Sequence, residues 1–274
     1  MVQSGRYLMK HDTVVTTRDI VKGLRDLGIQ PGAKVFVHSS LSAFGHVEGG
    51  ARSVCDALLE SAGGTGTVAV PAFTWRANHD KEVVTFDMLR DPTEDGRIPE
   101  TFRLLPGALR SEHVCHSMAA IGPLAADLMG NGVRSFGRGS SMYRLYELDF
   151  LTLFLGCGFS SCTALHIVEE LASVPYRYSR NFAGSTVIRP DGSQTPSRAL
   201  EFLRYEPFQN DFKKMEEVFR SRGVLREGRI GAAGVILTST RSIVDIGLAL
   251  VGADPGYLLT ESSRTVLREW AGPR

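Results

Sequence analysis

His166 and Glu169 stand three residues apart in the segment Thr163-Ala164-Leu165-His166-Ile167-Val168-Glu169, and Thr163 precedes the histidine by the same interval. If the segment is helical, this spacing puts all three polar side chains on one face, one turn apart. A neutral imidazole with a pKa near ~6.5 can accept a proton at physiological pH. A neighbouring carboxylate would fix its tautomer and stabilise the imidazolium. The chemistry in prospect is therefore general-base catalysis. The same spacing also suits a satisfied helical histidine beside a surface glutamate, and spacing alone does not choose between them.

The flanking elements would have to present that face. Residues 151–155 form an apolar run that reads as a buried strand, and Gly156 and Gly158 then turn the chain. Ser160, Ser161 or Thr163 is predicted to cap the helix that carries His166. A second polar strand end lies at His38-Ser39-Ser40-Leu41, after the strand 35–37. Short hydroxyl donors and backbone amides grouped there would suit an anion, although no Walker or G-x-G-x-x-G pattern accompanies them and such ends are commonly turns. Ser111, His113, His116 and Ser117 flank a strand of small residues. Two histidines without a third ligand of fixed geometry do not predict a metal. Cys55, Cys115, Cys157 and Cys162 form no C-x-x-C pair and read as reduced thiols.

Composition excludes several classes. The 274 residues are 43% hydrophobic and 22% charged with a net charge of +1, so neither disorder nor a general field for nucleic acid or membranes is expected. No apolar run approaches the ~20 residues that span a bilayer. Residues 1–10 lack the apolar core of a secretory signal, and a cytoplasmic location is expected. Residues 1–274 read as one domain, with no linker or repeat.

In chain order, a helix opens at Thr17 and closes at Gly28, the strand 35–37 follows, and Gly49-Gly50 precede a second helix ended by Gly63-Gly64. The strand 67–70 runs into Pro71-Ala72-Phe73-Thr74-Trp75, completing a βαβ-like unit and an α/β assignment. Residues 76–96 are polar and aperiodic, the kind of long excursion that is often functional. A helix is predicted over 98–105 and another after the Gly/Ser turn 136–141. A hairpin is predicted over 185–195, an amphipathic helix over 212–222, a strand over 230–237 and a helix from Thr240.

Taken together, these segments resemble the aminoglycoside 3-N-acetyltransferase family. His38-Ser39-Ser40-Leu41 with Gly45 is similar to its H-S-S-L-x-x-x-G element, and Val70-Pro71-Ala72-Phe73-Thr74 to its V-P-T-F-T strand end. Pro92-Thr93-Glu94-Asp95-Gly96, with Glu100, Phe102 and Arg103, resembles the segment before its R-S-x-H-P-T-H-S motif. That motif stands here as Arg110-Ser111-Glu112-His113-Val114-Cys115-His116-Ser117. Gly139-Ser140 with Leu145-Tyr146-Glu147-Leu148 resembles the next element, and residues 156–169 resemble G-x-G-x-x-S-x-T-x-L-H-x-x-E. Order and spacing agree over about residues 17–259. Val114 and Cys115 replace the usual Pro-Thr, Ala72 a Thr, and Ser160 a frequent Asp.

The resemblance implies a three-layer α/β/α fold with a mixed central sheet and a small C-terminal α+β portion. It implies an acetyl-CoA-dependent N-acetyltransferase, without metal, in which His166 is the base and Glu169 its partner. The coenzyme would meet His38, Ser39, Ser40, Leu41, Phe73, Thr74, Ser111, His116 and Ser117, with Thr74, Ser117 and nearby backbone amides as candidate donors to the oxyanion. An aminoglycoside or related amino sugar would be acetylated directly. Acidic residues between 76 and 96 suit a polycation, whereas Arg177 and Arg180 would suit an anionic amine if they face the cleft. A nucleophilic Cys157 or Cys162, a hydrolase without a G-x-S-x-G elbow, and a CoA-binding protein with a degenerate site are the alternatives, and a homodimer is left open.

Overall fold

Near-continuous apolar runs such as Val35-Phe36-Val37 and Leu153-Phe154-Leu155 can be stable strands only if both faces are covered. The computed structural model, which describes residues 14–270, covers them with helices on each side. Residues 1–10, read above for a secretory signal, lie outside the described residues. The strands are β1 (Lys34–Ser39), β2 (Thr67–Pro71), β3 (Thr85–Asp87), β4 (Leu109–Arg110), β5 (Met118–Ile121) and β6 (Leu151–Leu155). They continue with β7 (Arg177–Asn181), β8 (Thr186–Ile188), β9 (Gln194–Pro196), β10 (Leu200–Arg204), β11 (Arg226–Ile230) and β12 (Ala233–Ser239). The helices are α1 (Thr17–Asp26), α2 (Gly50–Ala62), α3 (Trp75–Asn78), α4 (Arg97–Arg103) and α5 (Ala125–Leu128), then α6 (Ser141–Glu147), α7 (Leu165–Leu171), α8 (Met215–Ser221), α9 (Thr240–Ala253) and α10 (Glu261–Glu269).

Seven strands make the central sheet in the order β11-β12-β6-β1-β2-β5-β4. β1 runs parallel to β6 and β2, while β12 and β5 are antiparallel to their inner neighbours, so the sheet is mixed. Alternation along β1 and β6 sends Val35, Val37, Leu153 and Leu155 to the layer of α1, α2 and α4. Phe36 and Phe154 face the layer of α6, α7 and α9. At Gly247 in α9 an added Cβ would meet Val168 Cγ2 at 2.6 Å, so the bare backbone lets α7 lie close to α9.

A smaller α+β portion falls in the C-terminal half. β7 and β10 form an antiparallel ribbon, and β8 pairs with β9 as the predicted hairpin. β8 also pairs in parallel with β3, so the excursion 76–96 supplies a strand. Val114 and Cys115, the departures from Pro-Thr, are fully buried in the small core beneath these strands with Phe86 and Phe182.

Four expectations are corrected. The strand 230–237 is a hairpin, β11 and β12, turning at Gly231-Ala232. Its first arm, Arg226 to Arg229, is an exposed edge without apolar alternation, so periodicity misses it. β7, polar and half-exposed, is missed for the same reason, and its partner β10 with it. No side chain caps α7: its N-cap is Ala164, and Thr163 Oγ1 turns back to the Ser161 carbonyl. The chain enters α7 from a 3₁₀ turn, Phe159–Ser161, through tight backbone bonds such as His166 N to Thr163 O at 2.9 Å. The helix α10, capped by Thr260, has no counterpart among the elements read from sequence.

Candidate active site

The carboxyl ends of β6, β1 and β2, and the start of antiparallel β5, lie at one end of the sheet. Loops leaving those ends must come together there, as in other open α/β sheets. Each of the site-bearing motifs follows or precedes one of these strand ends. Gly156, at φ +77°, makes the turn after β6, where a Cβ would meet Ala43 at 2.6 Å and the Ser40 carbonyl at 2.9 Å. The β6 loop and the Ser40 loop are thereby pressed together.

A cleft of about 860 Å³ opens at this end, and His38, Ser39, Phe73, His116 and His166 all line it. Ser40, Leu41, Thr74, Ser111 and Ser117 do not reach its wall. Ser40 and Leu41 begin the 3₁₀ turn after β1. The Thr74 hydroxyl donates to the Val114 carbonyl at 2.8 Å, the Ser117 hydroxyl donates to the Ala72 carbonyl at 2.5 Å, and Ser111 Oγ accepts from Met118 N at 2.9 Å. These bonds shape the loops that bear Phe73 and His116. A second cavity of about 430 Å³, beside Asp254 and Trp270, contains none of these residues.

On the first turn of α7, His166 Nδ1 lies 2.6 Å from Glu169 Oε2. The Glu169 side chain is fully buried, while His166 keeps 23% of its surface open to the cleft. Burial by itself would raise the Glu169 carboxyl, but Arg177, His166 and Asn210 outweigh it and hold the group at about 2. An ionised carboxylate only accepts, so Nδ1 carries the proton and Nε2 is left as the basic nitrogen. Tyr176 OH donates to Glu169 Oε1 at 2.9 Å and Asn210 Nδ2 at 2.5 Å. Arg177 Nε stands 2.8 Å from Oε2 as an ion pair but off the hydrogen-bond line. Arg177 Nη2 also lies 3.2 Å from His166 Nδ1; with a proton already on that nitrogen, this is a contact, and Nη2 donates to Asn210 Oδ1 at 2.7 Å. Phe136 and Phe212 hold the imidazole from two sides, each 4.9 Å away between centroids. Burial, then Arg177, lowers the His166 pKa against the opposing pull of Glu169.

Sequence reading finds the histidine and its carboxylate but misses Tyr176, Asn210 and Phe136. None of the three carries a spacing signal relative to α7. Only the basic and aromatic density of residues 175–182 hints at Tyr176.

His113 accepts at Nδ1 from Cys115 N and His116 N, and its Nε2 faces the Leu200 carbonyl at 3.3 Å. It is a folding residue of the loop. Burial holds His113 at about 4 and His38 at about 3, and pushes His116 well down. These native pKa values lie below the unfolded value near ~6.5, so the unfolded chain binds protons that the native one refuses, and stability falls as the pH drops below ~6.5. The loss should be about 2 kcal/mol per histidine between pH ~6.5 and ~5, at about 1.4 kcal/mol per pH unit. Urea midpoints at neutral pH and near pH ~5 would measure it; identical midpoints would contradict neutral burial.

A strand-end cleft in a three-layer α/β fold, lined by a histidine hydrogen-bonded to a buried carboxylate, is the layout of an α/β enzyme. Residues 36–251 match the sequence profile of the aminoglycoside 3-N-acetyltransferases. Aminoglycoside N(3)-acetyltransferase III of Acinetobacter baumannii is 31% identical, over 88% of this chain and 94% of its own. A solved complex of a histidine-to-alanine mutant of aminoglycoside acetyltransferase AAC(3)-IVa with a gentamicin superposes with a TM-score of 0.78 at 26% identity, covering 94% of this chain and 95% of that one. AAC-IIIb in a binary complex with CoASH has the same fold, with a TM-score of 0.75 at 24% identity over 88% of this chain and 97% of that one. The chain belongs to the aminoglycoside 3-N-acetyltransferase family and is an acetyltransferase. Among the described residues no helix is long and apolar enough to cross a membrane.

Proposed function

We propose that the protein, acting as one domain, transfers the acetyl group of acetyl-CoA directly to an amine of an aminoglycoside or related amino sugar, with His166 as general base. The observation that carries this reading is the His166 Nδ1 bond to buried Glu169, which leaves Nε2 as the proton acceptor toward the cleft. The acceptor arrives as an ammonium. It gives one proton to solvent, and its nitrogen then attacks the thioester carbonyl. A C–N bond forms, the C–S bond breaks, and the second proton passes through His166 Nε2 to the departing sulfur. Glu169 stays ionised and stabilises the imidazolium while it exists.

The cleft suits the polar parts of the donor. Ser39 Oγ, His38 Nε2 and His116 Nδ1 are buried there without hydrogen-bond partners, and an unpaired buried polar atom costs about 1–3 kcal/mol. Ser39, His38 and His116 would hold the coenzyme, with Phe73 against its apolar arm. Ser40, Leu41, Thr74, Ser111 and Ser117 would act by shaping the loops. The Thr74 and Ser117 hydroxyls already donate within the protein, which favours the nearby backbone amides as donors to the oxyanion.

Direct transfer is favoured over an acyl-cysteine. Burial pushes the Cys157 thiol up to about 11 and the Cys162 thiol up to about 12, so neither is a thiolate near neutrality. The double variant Cys157→Ala/Cys162→Ala should keep turnover within about threefold, as expected where no covalent intermediate forms. A collapse to the level of His166→Ala would overturn direct transfer. The reading as a whole is tested by thiol release from acetyl-CoA against a broad amine panel, with CoA binding by calorimetry. Amine-dependent release is the expected result; neither release nor binding would refute it.

A further inference from the structure

Arg177 and Arg204 are direct partners in the β7–β10 ladder, and both line the cleft. Like charges set opposite one another on a ribbon repel, so the arrangement needs a compensating reason. Glu169 neutralises only one of them, by its ion pair with Arg177. Among the described residues Arg204 makes no ion pair. Its Nη1 donates to Asn210 Oδ1 at 2.8 Å, and its Nε is buried without a hydrogen-bond partner. With His166 neutral, the group of Arg177, Arg204 and Glu169 carries one uncompensated positive charge beside the base.

The carboxylates of the cleft do not cancel it. Glu201 pairs with Arg180 at 2.6 Å, and Asp95 accepts from Phe73 N at 2.6 Å and Thr93 Oγ1 at 2.9 Å. Asp80 stands on the exposed rim against His79, and Glu206, whose charge acts on Arg204 through space, is exposed to solvent and forms no ion pair with it. Next to His166 a polycation would therefore meet the like charge of Arg204, which costs binding, whereas an oxyanion would meet a guanidinium whose Nε still lacks an acceptor.

Resting on the acetyl-transfer reading, we propose that the acceptor is an amine that itself bears an oxyanionic group, a phosphate or carboxylate, and that Arg204 binds that group beside the reacting nitrogen. The anion belongs to the acceptor rather than to the donor on grounds of reach. Arg204 is joined through Asn210 to Arg177, which touches His166, so the charge lies within a few side chains of the proposed base. The phosphates of CoA are separated from its sulfur by the whole pantetheine arm.

Thiol release should be compared for glucosamine 6-phosphate, glucosamine and kanamycin, with further amine pairs that differ by one phosphate or carboxylate. Expected is a kcat/KM about 10- to 100-fold higher for the anionic member of each pair, the range of a charge-assisted hydrogen bond. In Arg204→Gln the KM of the anionic amine should rise by a similar factor, with kcat and the KM of acetyl-CoA little changed. Arg204→Lys, which keeps the charge but not the fork, should recover part of the loss, and a native circular-dichroism spectrum for both variants excludes misfolding as the cause. A preference for kanamycin or for the neutral amines would overturn the proposal while leaving acetyl transfer intact. So would a rise in the KM of acetyl-CoA rather than of the acceptor in Arg204→Gln. Absence of release with every amine would refute the acetyl-transfer reading, and this proposal with it.

Discussion

His166→Ala should lower kcat by about 10²–10⁴-fold, the range that a positioned general base contributes. The affinity for CoA, measured by calorimetry, should change by no more than about threefold, because a base that acts on the acceptor nitrogen contributes to the transition state rather than to donor binding. In the wild type the acid limb of kcat/KM should fall below pH ~6.5. Its direction follows from the environment of the ring. Burial between Phe136 and Phe212, and then the Arg177 cation, disfavours the imidazolium more than Glu169 favours it. The base is therefore unprotonated above its lowered pKa, and activity is lost only as the pH falls through that value. A limb centred at or above neutrality, or an alanine variant within about tenfold of wild type, would remove His166 from the role.

The second large effect is expected at Glu169. Glu169→Ala takes the acceptor away from four neighbours and leaves the Arg177 guanidinium, itself 6% exposed, without its counter-ion. Breaking a buried pair by removing one partner costs about 3–5 kcal/mol. At about 2–4 °C per kcal/mol for a chain of this size, the melting temperature should fall by roughly 10 °C. Glu169→Gln separates the chemical role from the structural one. The amide keeps the volume, but only one of its ends can accept, so it cannot receive His166 and Arg177 on one side while receiving Tyr176 and Asn210 on the other. His166 then loses its fixed tautomer. A fall in kcat of about 10²-fold or more is expected from a variant that folds and still binds CoA. Wild-type turnover in Glu169→Gln would show that the carboxylate serves stability alone.

These two variants concern residues that are visible in the chain as a three-residue interval. The strand 151–155, the glycine turn and the helix beyond it follow from local rules, because apolar runs, positive-φ glycines and helical spacing are properties of near neighbours. The same rules yield the βαβ unit from α1 to β2, the turn before α6 capped by Ser140, and the β8–β9 hairpin. The resemblance, resting on six short segments in register, supplies the three-layer fold and the reaction class. Sequence leaves undecided whether His166 is a base or a satisfied surface histidine, because i to i+3 spacing is the same in both.

How deeply the pair is buried is decided by groups far away in the chain. Asn210 reaches Glu169 across 41 residues, and Phe136 closes on the imidazole from a loop 30 residues upstream. They convert a surface-like pair into a buried carboxylate with a fixed ring. The charge of the cleft is equally beyond the chain itself. Acidic residues in 76–96 outnumber the arginines of 177–204 in the sequence, yet Asp95 is consumed by backbone and hydroxyl donors while Arg204 keeps a buried N–H without a partner. Counting residues gives charge by composition. Only the pairing of β7 with β10, and the reach of Arg177 to the carboxylate on α7, decides which charges are spent inside the protein and which remain for a ligand, because neutralisation depends on distances that no local pattern encodes.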